Sequence, residues 1–492
     1  MRRLLPVLFV AAIVSACSTS SQSTSSPPAS STTQPVKPAE IPITTKSAEA
    51  LEHFKKGEQF FENVRNPEAA REFAEALKLD SDFVQARALY GVTSGVAAGF
   101  AELERAKAQA ETLPEAERLF VVAVTDPSTT AGLNAWQQLV QKVSDPRAYA
   151  GLGLQLFLLE RYGDAEQALR KATQLNPSHA QAQNMLGYTL LRTGDFDGAV
   201  RAFQTYVSLA PMEPNAQDSL AEALMNAGRF DESEAAFRKA IALAPQFVQG
   251  WEGVAYTKFY RGDWTGGSEA LAKALQGASG IFERVNSTRI ATGAALAQGR
   301  SQEAIRTIDT IQQIPNQESG DTAIGQALRG RVRVDAGRAR EALPMFAEAL
   351  KRVSAEGTPP GLARNVRRQA LIGRAAAEAQ LSDKAALEKT VSDADALSAS
   401  DPADSTSQSA AHLARGLAAM TGGDVMRARS EFAQCQGTDY YCHWYEVTAA
   451  ERAGDRAGAD AARQRLLKSY ERDPIALFVR TRLTAAGRNT TN

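Results

Sequence analysis

Apolar residues recur along this chain at spacings of three and four, and between about residues 146 and 279 the pattern itself repeats every 34 residues. Such spacing places the apolar side chains of each stretch on one face of a helix. Pro177, Pro211 and Pro245 mark the period. Because proline cannot continue a helix and glycine readily takes φ > 0, the pattern predicts a helix pair in each unit. The turns between the paired helices are predicted at Gly194, Gly228 and Gly262.

Two columns of the repeat have a physical meaning. Small residues on the first helix allow two helices to approach closely, and they stand at Gly153, Gly187, Ala221 and Ala255. Aromatic residues follow each turn, at Tyr162, Phe196, Phe230 and Trp264. Repeats of this length stack so that each contacts its neighbours, which builds an elongated surface for binding.

The repeat resembles the tetratricopeptide repeat family. Its Trp, Leu-Gly, Ala, Phe and Pro positions are held by Trp251, Leu186–Gly187, Ala199, Phe203 and Pro211. The resemblance implies an all-α solenoid of helix pairs, a right-handed superhelix of roughly a dozen repeats. It covers residues 46–492 and is sharpest over 146–279. The alternative is a helical bundle whose periodicity arises by chance.

The amino end resembles a bacterial lipoprotein leader. Arg2 and Arg3 precede an apolar run over residues 4–16, which is too short to cross a bilayer. Val14-Ser15-Ala16-Cys17 resembles the sequence at which the leader is removed and the cysteine is acylated. We therefore expect a signal peptide at 1–16 and lipidation (palmitate included) at Cys17; an ordinary secretory leader is the alternative. Ser18 after the cysteine favours the outer membrane, with the chain facing the periplasm.

Residues 17–45 read as a spacer. They are rich in Ser, Thr and Pro and nearly devoid of apolar side chains. Such a composition buries too little surface to offset chain entropy. We expect a disordered tether between the lipid and the array.

Composition narrows the function further. The formal net charge is −1, so there is no basic excess for nucleic acid. Gly151-Leu152-Gly153 lies inside the helix-packing column and follows no predicted strand, which argues against a nucleotide loop. The four histidines form no metal-ligand spacing, and no catalytic constellation is present. We expect no metal, no cofactor and no catalytic residue.

Cys435 and Cys442 flank a short turn between two predicted helices. In an oxidising envelope this spacing allows a disulfide. Two buried thiols are the main alternative, and a metal site with His443 is a third.

In the family, set positions of each first helix point into the concave face. The resemblance therefore implies a partner-binding surface, although a solvated helix face explains any single one of these residues equally well. Its members are Asn184, Tyr188, Arg192, Asn215, Asp218, Glu222, Asn226, Glu252, Tyr256, Phe259 and Tyr260.

These observations favour a non-enzymatic scaffold or adapter of the bacterial cell envelope that binds a protein or peptide partner and is held at the membrane by its lipid. The alternative is an outer-membrane lipoprotein that binds a glycan or a small molecule. Exposed aromatic side chains on the concave face suggest anchors for an extended peptide.

Overall fold

The computed structural model describes residues 40–94, 96–126, 130–314, 319–354, 360–400, 404–435, 440–468 and 470–489. Within these ranges the chain forms 25 α-helices, two short 3₁₀ helices and no strand. The all-α prediction is confirmed, and the helices follow one another as tetratricopeptide-like pairs. Cys17 and the predicted signal peptide lie outside the described residues.

The helices are named in chain order. The first eleven are α1 Ala48–Glu62, α2 Asn66–Leu79, α3 Val84–Thr93, α4 Val96–Gln109, α5 Glu115–Thr125, α6 Thr130–Lys142, α7 Pro146–Leu158, α8 Tyr162–Leu175, α9 Ala180–Thr193, α10 Phe196–Leu209 and α11 Pro214–Asn226. The next seven are α12 Phe230–Leu243, α13 Val248–Tyr260, α14 Trp264–Gly277, α15 Ile281–Ala297, α16 Ser301–Asp309, α17 Ser319–Asp335 and α18 Ala339–Val353. The last seven are α19 Pro360–Gln380, α20 Lys384–Ser400, α21 Ser405–Gly422, α22 Val425–Ala433, α23 Tyr440–Arg452, α24 Arg456–Leu467 and α25 Pro474–Asn489.

Each sharp repeat turns where its sequence predicts. Gly194 ends α9 with φ of 80°, a left-handed conformation that glycine adopts without strain. Asp195 then caps α10 by accepting a 2.8 Å hydrogen bond from the Gly198 backbone N–H. The aromatic column supplies the first residues of α8, α10, α12 and α14, namely Tyr162, Phe196, Phe230 and Trp264.

The small-residue column lets paired helices touch. A Cβ atom added to Gly187 would lie 2.6 Å from the Phe203 ring, and one added to Gly153 would lie 2.5 Å from Leu169 Cγ. Phe203 and Leu169 are fully buried. These glycines therefore set how closely the two helices of a repeat approach, as the column predicts.

The end of the predicted tether is packed against the fold, which corrects its boundary at residue 45. Ile41 is 2% exposed, and its backbone N–H donates a 2.8 Å hydrogen bond to Asp145. Thr44 donates to Glu117 from both its backbone N–H (3.0 Å) and its hydroxyl (2.6 Å). Two apolar side chains, Ile41 and Ile43, and these carboxylates hold the last residues of the predicted tether.

The tertiary contacts divide the chain into two compact units, with the division between Ala223 and Leu224. In an idealised array each repeat touches only its neighbours. In the second unit, α25 packs against α15 as well as against α23. The contact between α15 and α25 joins two elements that are far apart in sequence.

Candidate functional site

Most of the residues predicted to form an exposed concave floor are buried. Tyr188, Asn215 and Tyr260 are partly buried. The remaining eight are at most 9% exposed: Asn184, Arg192, Asp218, Glu222, Asn226, Glu252, Tyr256 and Phe259. Their exposure is therefore corrected, while their role in binding a partner stays a prediction.

Several of these polar side chains join one repeat to the next. In the first unit, the Tyr188 hydroxyl lies 3.0 Å from Ser219 Oγ, which donates a 3.3 Å hydrogen bond to Asn184. The amide of Asn215 lies 3.5 Å from the hydroxyl of Tyr206, whose pKa burial raises to about 12. Buried polar groups require such hydrogen-bond partners. The polar residues predicted to bind a partner therefore also hold neighbouring repeats together.

In the second unit, Glu252 joins α13 to the next repeat, and Phe259 packs between the two helices of its own repeat. The Glu252 carboxylate accepts hydrogen bonds from Asn286 (2.9 Å) and Ser287 (2.7 Å) on α15. The Phe259 ring stacks on Trp264 at 5.5 Å and covers Gly267 on α14. Phe259 thus lies between paired helices rather than on the inner face.

The second unit holds a piece of its own chain on α13. Residues 470–473, here named the C-terminal connector, join α24 to α25. Tyr260 donates a 2.5 Å hydrogen bond to the Glu471 carbonyl oxygen, and Arg472 donates a 2.8 Å hydrogen bond to the Gln249 carbonyl oxygen. Burial raises the pKa of Tyr256 and Tyr260 well above the ordinary value, and the nearby Asp473 carboxylate acts in the same direction.

Aromatic side chains hold the connector from both sides. The Tyr470 ring packs edge-on against Phe230 (4.8 Å between centroids) and Tyr260 (5.2 Å). The guanidinium of Arg480 lies 3.6 Å over the Tyr470 ring. Of the predicted aromatic residues, Tyr260 therefore contacts a non-helical segment, but that segment belongs to the same chain.

The first unit contains an apolar cavity of about 140 Å³. Helices α1, α3, α5, α6, α7 and α9 contribute to its wall, so it is formed largely by first helices of the repeats. Val92 and Leu158, each 39% exposed, belong to this wall. This site could not be found from the repeat pattern alone, because its wall combines α7 and α9 with repeats that precede residue 146 and match the pattern less well. Apolar residues at the inward positions of those repeats were the available signal.

Ionisable side chains stand at one side of this cavity. Arg147 pairs with Glu58 and, at 2.7 Å, with Asp145. Burial alone would lower the pKa of Arg147, but these two carboxylates raise it above its ordinary value. Asp145 also caps α7 and holds the backbone of Ile41. This network therefore links the cavity to the amino-terminal residues of the fold.

Glu62 differs from its neighbours in having no such partner. It is the last residue of α1 and lines the cavity one helical turn after Glu58. No side chain in the described ranges forms a hydrogen bond or an ion pair with it. Burial, reinforced by the Glu58 charge, raises the pKa of Glu62 to about 7.

His179 lies in the cavity wall as a neutral imidazole. It is 2% exposed, and its Nδ1 accepts a hydrogen bond from the Ala182 backbone N–H (3.4 Å), which caps α9. Burial lowers the pKa of His179 to about 4. The unfolded chain therefore binds a proton at this residue at a higher pH than the folded chain does.

The first unit should consequently lose stability through His179 as the pH falls from about 6.5 toward 4. A pKa lowered from 6.5 to about 4 corresponds to as much as about 3 kcal/mol. We expect His179→Asn, which keeps a capping side chain, to abolish this loss in hydrogen-exchange measurements on α7 to α9. Glu62, whose pKa is raised on folding, should stabilise the folded state as the pH falls, but this contribution is the same in the parent protein and in His179→Asn. If the stability of the parent protein and that of His179→Asn changed with pH in the same way, His179 would not be the source of the loss.

Cys435 and Cys442 form a disulfide in the structure, with their Cα atoms 6.3 Å apart. In the described ranges no cluster of three His, Cys, Asp or Glu side chains is placed to hold a metal ion. The described helices likewise include none with the length and apolar character needed to cross a membrane.

Fold and surfaces together define an α-helical repeat protein built from tetratricopeptide-like pairs. Comparison agrees for part of the chain: the tetratricopeptide repeat model matches 129–180, 151–218, 184–248 and 219–280. These overlapping matches cover somewhat less than a third of the sequence. Repeats of this kind present surfaces for protein partners, which is what the matched segment implies in general.

Solved structures of MamA are similar to part of this chain. The crystal structure of MamA shares 20% identity with a TM-score of 0.29, covering 30% of this chain and 86% of that one. MamA 41-end from Desulfovibrio magneticus RS-1 shares 19% identity with a TM-score of 0.31, covering 33% and 95%. Likeness of this degree carries no argument about function. No curated protein matches the sequence significantly.

Proposed function

We propose that the protein is a non-enzymatic protein-binding scaffold or adapter of the bacterial cell envelope. The observation that carries this proposal is the C-terminal connector on α13. The Glu471 carbonyl oxygen there accepts a hydrogen bond from Tyr260, and the Tyr470 ring packs against the rings of Phe230 and Tyr260. Recognition of extended peptides commonly combines these two kinds of contact. A surface that holds one non-helical segment is suited to holding others.

Capture from the envelope tests the scaffold. The full chain carrying Cys17→Ser, immobilised and cross-linked in envelope extract, should retain one or a few defined proteins. An unrelated helical-repeat protein on the same support is the control. Recovery of the same proteins by both supports, or of none by either, would count against an adapter.

We further propose that acylated Cys17 tethers the scaffold to the outer membrane, facing the periplasm. The support is the order of charged, apolar and small residues that ends at this cysteine. More than one acyl chain gives durable anchoring, which a lipoprotein cysteine supplies.

Cys17→Ser should therefore move the protein from the membrane fraction to the soluble fraction. Loss of the acylated thiol removes the anchor, whereas the folded units keep all their contacts. Cell fractionation with immunodetection measures the change, and Cys435→Ser with Cys442→Ser is the control for loss of cysteine elsewhere. Retention of the Cys17→Ser protein in the outer membrane would refute the tether.

A second candidate function is the binding of a small molecule, and the cavity of the first unit favours it. Ligand sites are concave and mostly apolar, with a few polar groups that orient the ligand. The cavity has this character, with Glu62 and the Arg147 network at one side. Its apolar wall suits an alkyl or aryl group better than a glycan.

A further inference from the structure

The cavity of the first unit has both an apolar wall and a carboxyl group, Glu62, that forms no hydrogen bond or ion pair with the described residues. Val92, Leu158 and Met185 belong to the wall, together with aromatic rings from α5 and α6. An apolar cavity of about 150 Å³ can take up a molecule such as benzene. The volume here, about 140 Å³, therefore fits a group the size of a short alkyl chain or a phenyl ring.

The charges around the cavity do not cancel. Glu58 and Asp145 share the single guanidinium of Arg147, and buried His179 is neutral. These groups come from α1, from α7 with its cap and from the cap of α9. Glu62, on α1, adds a carboxyl group to which no described cation is paired. A cation that entered the cavity would be attracted to this carboxylate and would favour its ionised form.

We propose that this cavity binds a small amphiphilic amine, with its apolar group against the wall and its protonated nitrogen beside Glu62. The inference rests on the second candidate function and is independent of the scaffold. A charge-assisted hydrogen bond to a carboxylate in apolar surroundings is stronger than a neutral one, so the amine adds selectivity to the affinity that burial provides. A helix, about 10 Å wide, does not fit such a volume.

Proton linkage gives the site a characteristic pH dependence. An amine needs the ionised form of Glu62, whereas the empty cavity favours the protonated form and raises its pKa to about 7. Glu58, Asp145 and Arg147 face the same carboxyl group, and neutral His179 does not add charge. Amine affinity should therefore rise between pH 6 and pH 8, while the affinity for a neutral probe should stay level.

The test compares n-hexylamine, n-hexanol and hexanoate on the full chain carrying Cys17→Ser. Methyl NMR signals of Val92, Leu158 and Met185 report occupancy of the cavity. At pH 8 we expect hexylamine to bind at least about 10-fold more tightly than hexanol, a difference of about 1.4 kcal/mol, and hexanoate to bind most weakly. Glu62→Gln should bring the amine and the alcohol within about threefold, whereas Glu52→Gln, an exposed residue of α1, should change neither.

Each failure has a distinct meaning. Equal binding of hexylamine and hexanol by the parent protein would overturn the amine inference and leave small-molecule binding standing. Absence of shifts with either probe would overturn both. Val92→Trp, which fills the mouth, should abolish binding; if binding persists, the site lies elsewhere. If Glu62→Gln folds poorly, the pH dependence of hexylamine and hexanol binding to the parent cavity still tests the amine inference.

Discussion

Replacing both Tyr256 and Tyr260 by alanine should destabilise the second unit by roughly 5 kcal/mol. Tyr256 is 2% exposed, and truncation of a buried aromatic residue alone costs about 3–5 kcal/mol. Tyr260 adds its hydrogen bond to Glu471 and its contact with Tyr470. Denaturant unfolding, with hydrogen exchange resolved on α13 and α25, measures the loss.

The matched control is Phe282→Ala, on α15 of the same unit, where the ring is 53% exposed. It should cost under about 1 kcal/mol, because little surface returns to water. Tyr260→Phe isolates the hydrogen bond and should cost about 1 kcal/mol. If the double variant kept the stability of the parent and lost only a partner, the sequence-based interpretation of these residues as exposed anchors would be right and the buried packing wrong.

The helix pairs could be predicted because their signals are local. Gly194, Asp195 and Phe196 follow one another in sequence, and together they end one helix, cap the next and begin its apolar face. Gly262, Asp263 and Trp264 show the same order two units later, whereas Arg229 holds the cap position between them and forms no side-chain cap. A single repeat of sequence therefore contains the information that sets its own boundaries.

The accessible surface could not be predicted in this way. Tyr260 and Glu471 are 211 residues apart. No local pattern in the sequence of α13 therefore predicts that the connector contacts this helix. Tyr256 and Phe259 lie three residues apart in sequence. Tyr256 stacks on Tyr260 beneath the connector, whereas Phe259 packs on α14. Assignment by repeat position ignores a segment that returns from elsewhere in the chain.

The cavity of the first unit illustrates the same limit. Glu62, Arg147 and His179 come from three different repeats and share no motif. Arg147 reads in sequence as an ordinary exposed helix residue, but Asp145 and Glu58 draw it into a buried network. Residues 40–45 likewise follow a Ser/Thr/Pro-rich stretch, and the packing of Ile41 and Ile43 together with the placement of Asp145 and Glu117 explains why they are held.

Gly293→Val should detach α25 and destabilise the second unit by at least about 4 kcal/mol. A Cβ atom on Gly293 would lie 2.7 Å from Pro474 Cβ, 2.8 Å from its carbonyl oxygen and 3.0 Å from its Cα. Two of these three atoms belong to the backbone, so rotation of a side chain cannot relieve the clash, and α25 has to move away from α15. The buried side chains of α25, among them Leu477 and Phe478, would then lose their packing.

Movement of α25 should also carry the connector away, since Asp473 caps this helix through Ile475 and Ala476. Hydrogen exchange should therefore quicken in α25 and in α13 together, and protease should cleave near residue 470. Gly361→Val is the control, because no atom lies within 4 Å of a Cβ at Gly361 in α19. Faster exchange in α25 with unchanged protection of α13 would show that the connector holds its place without the helix.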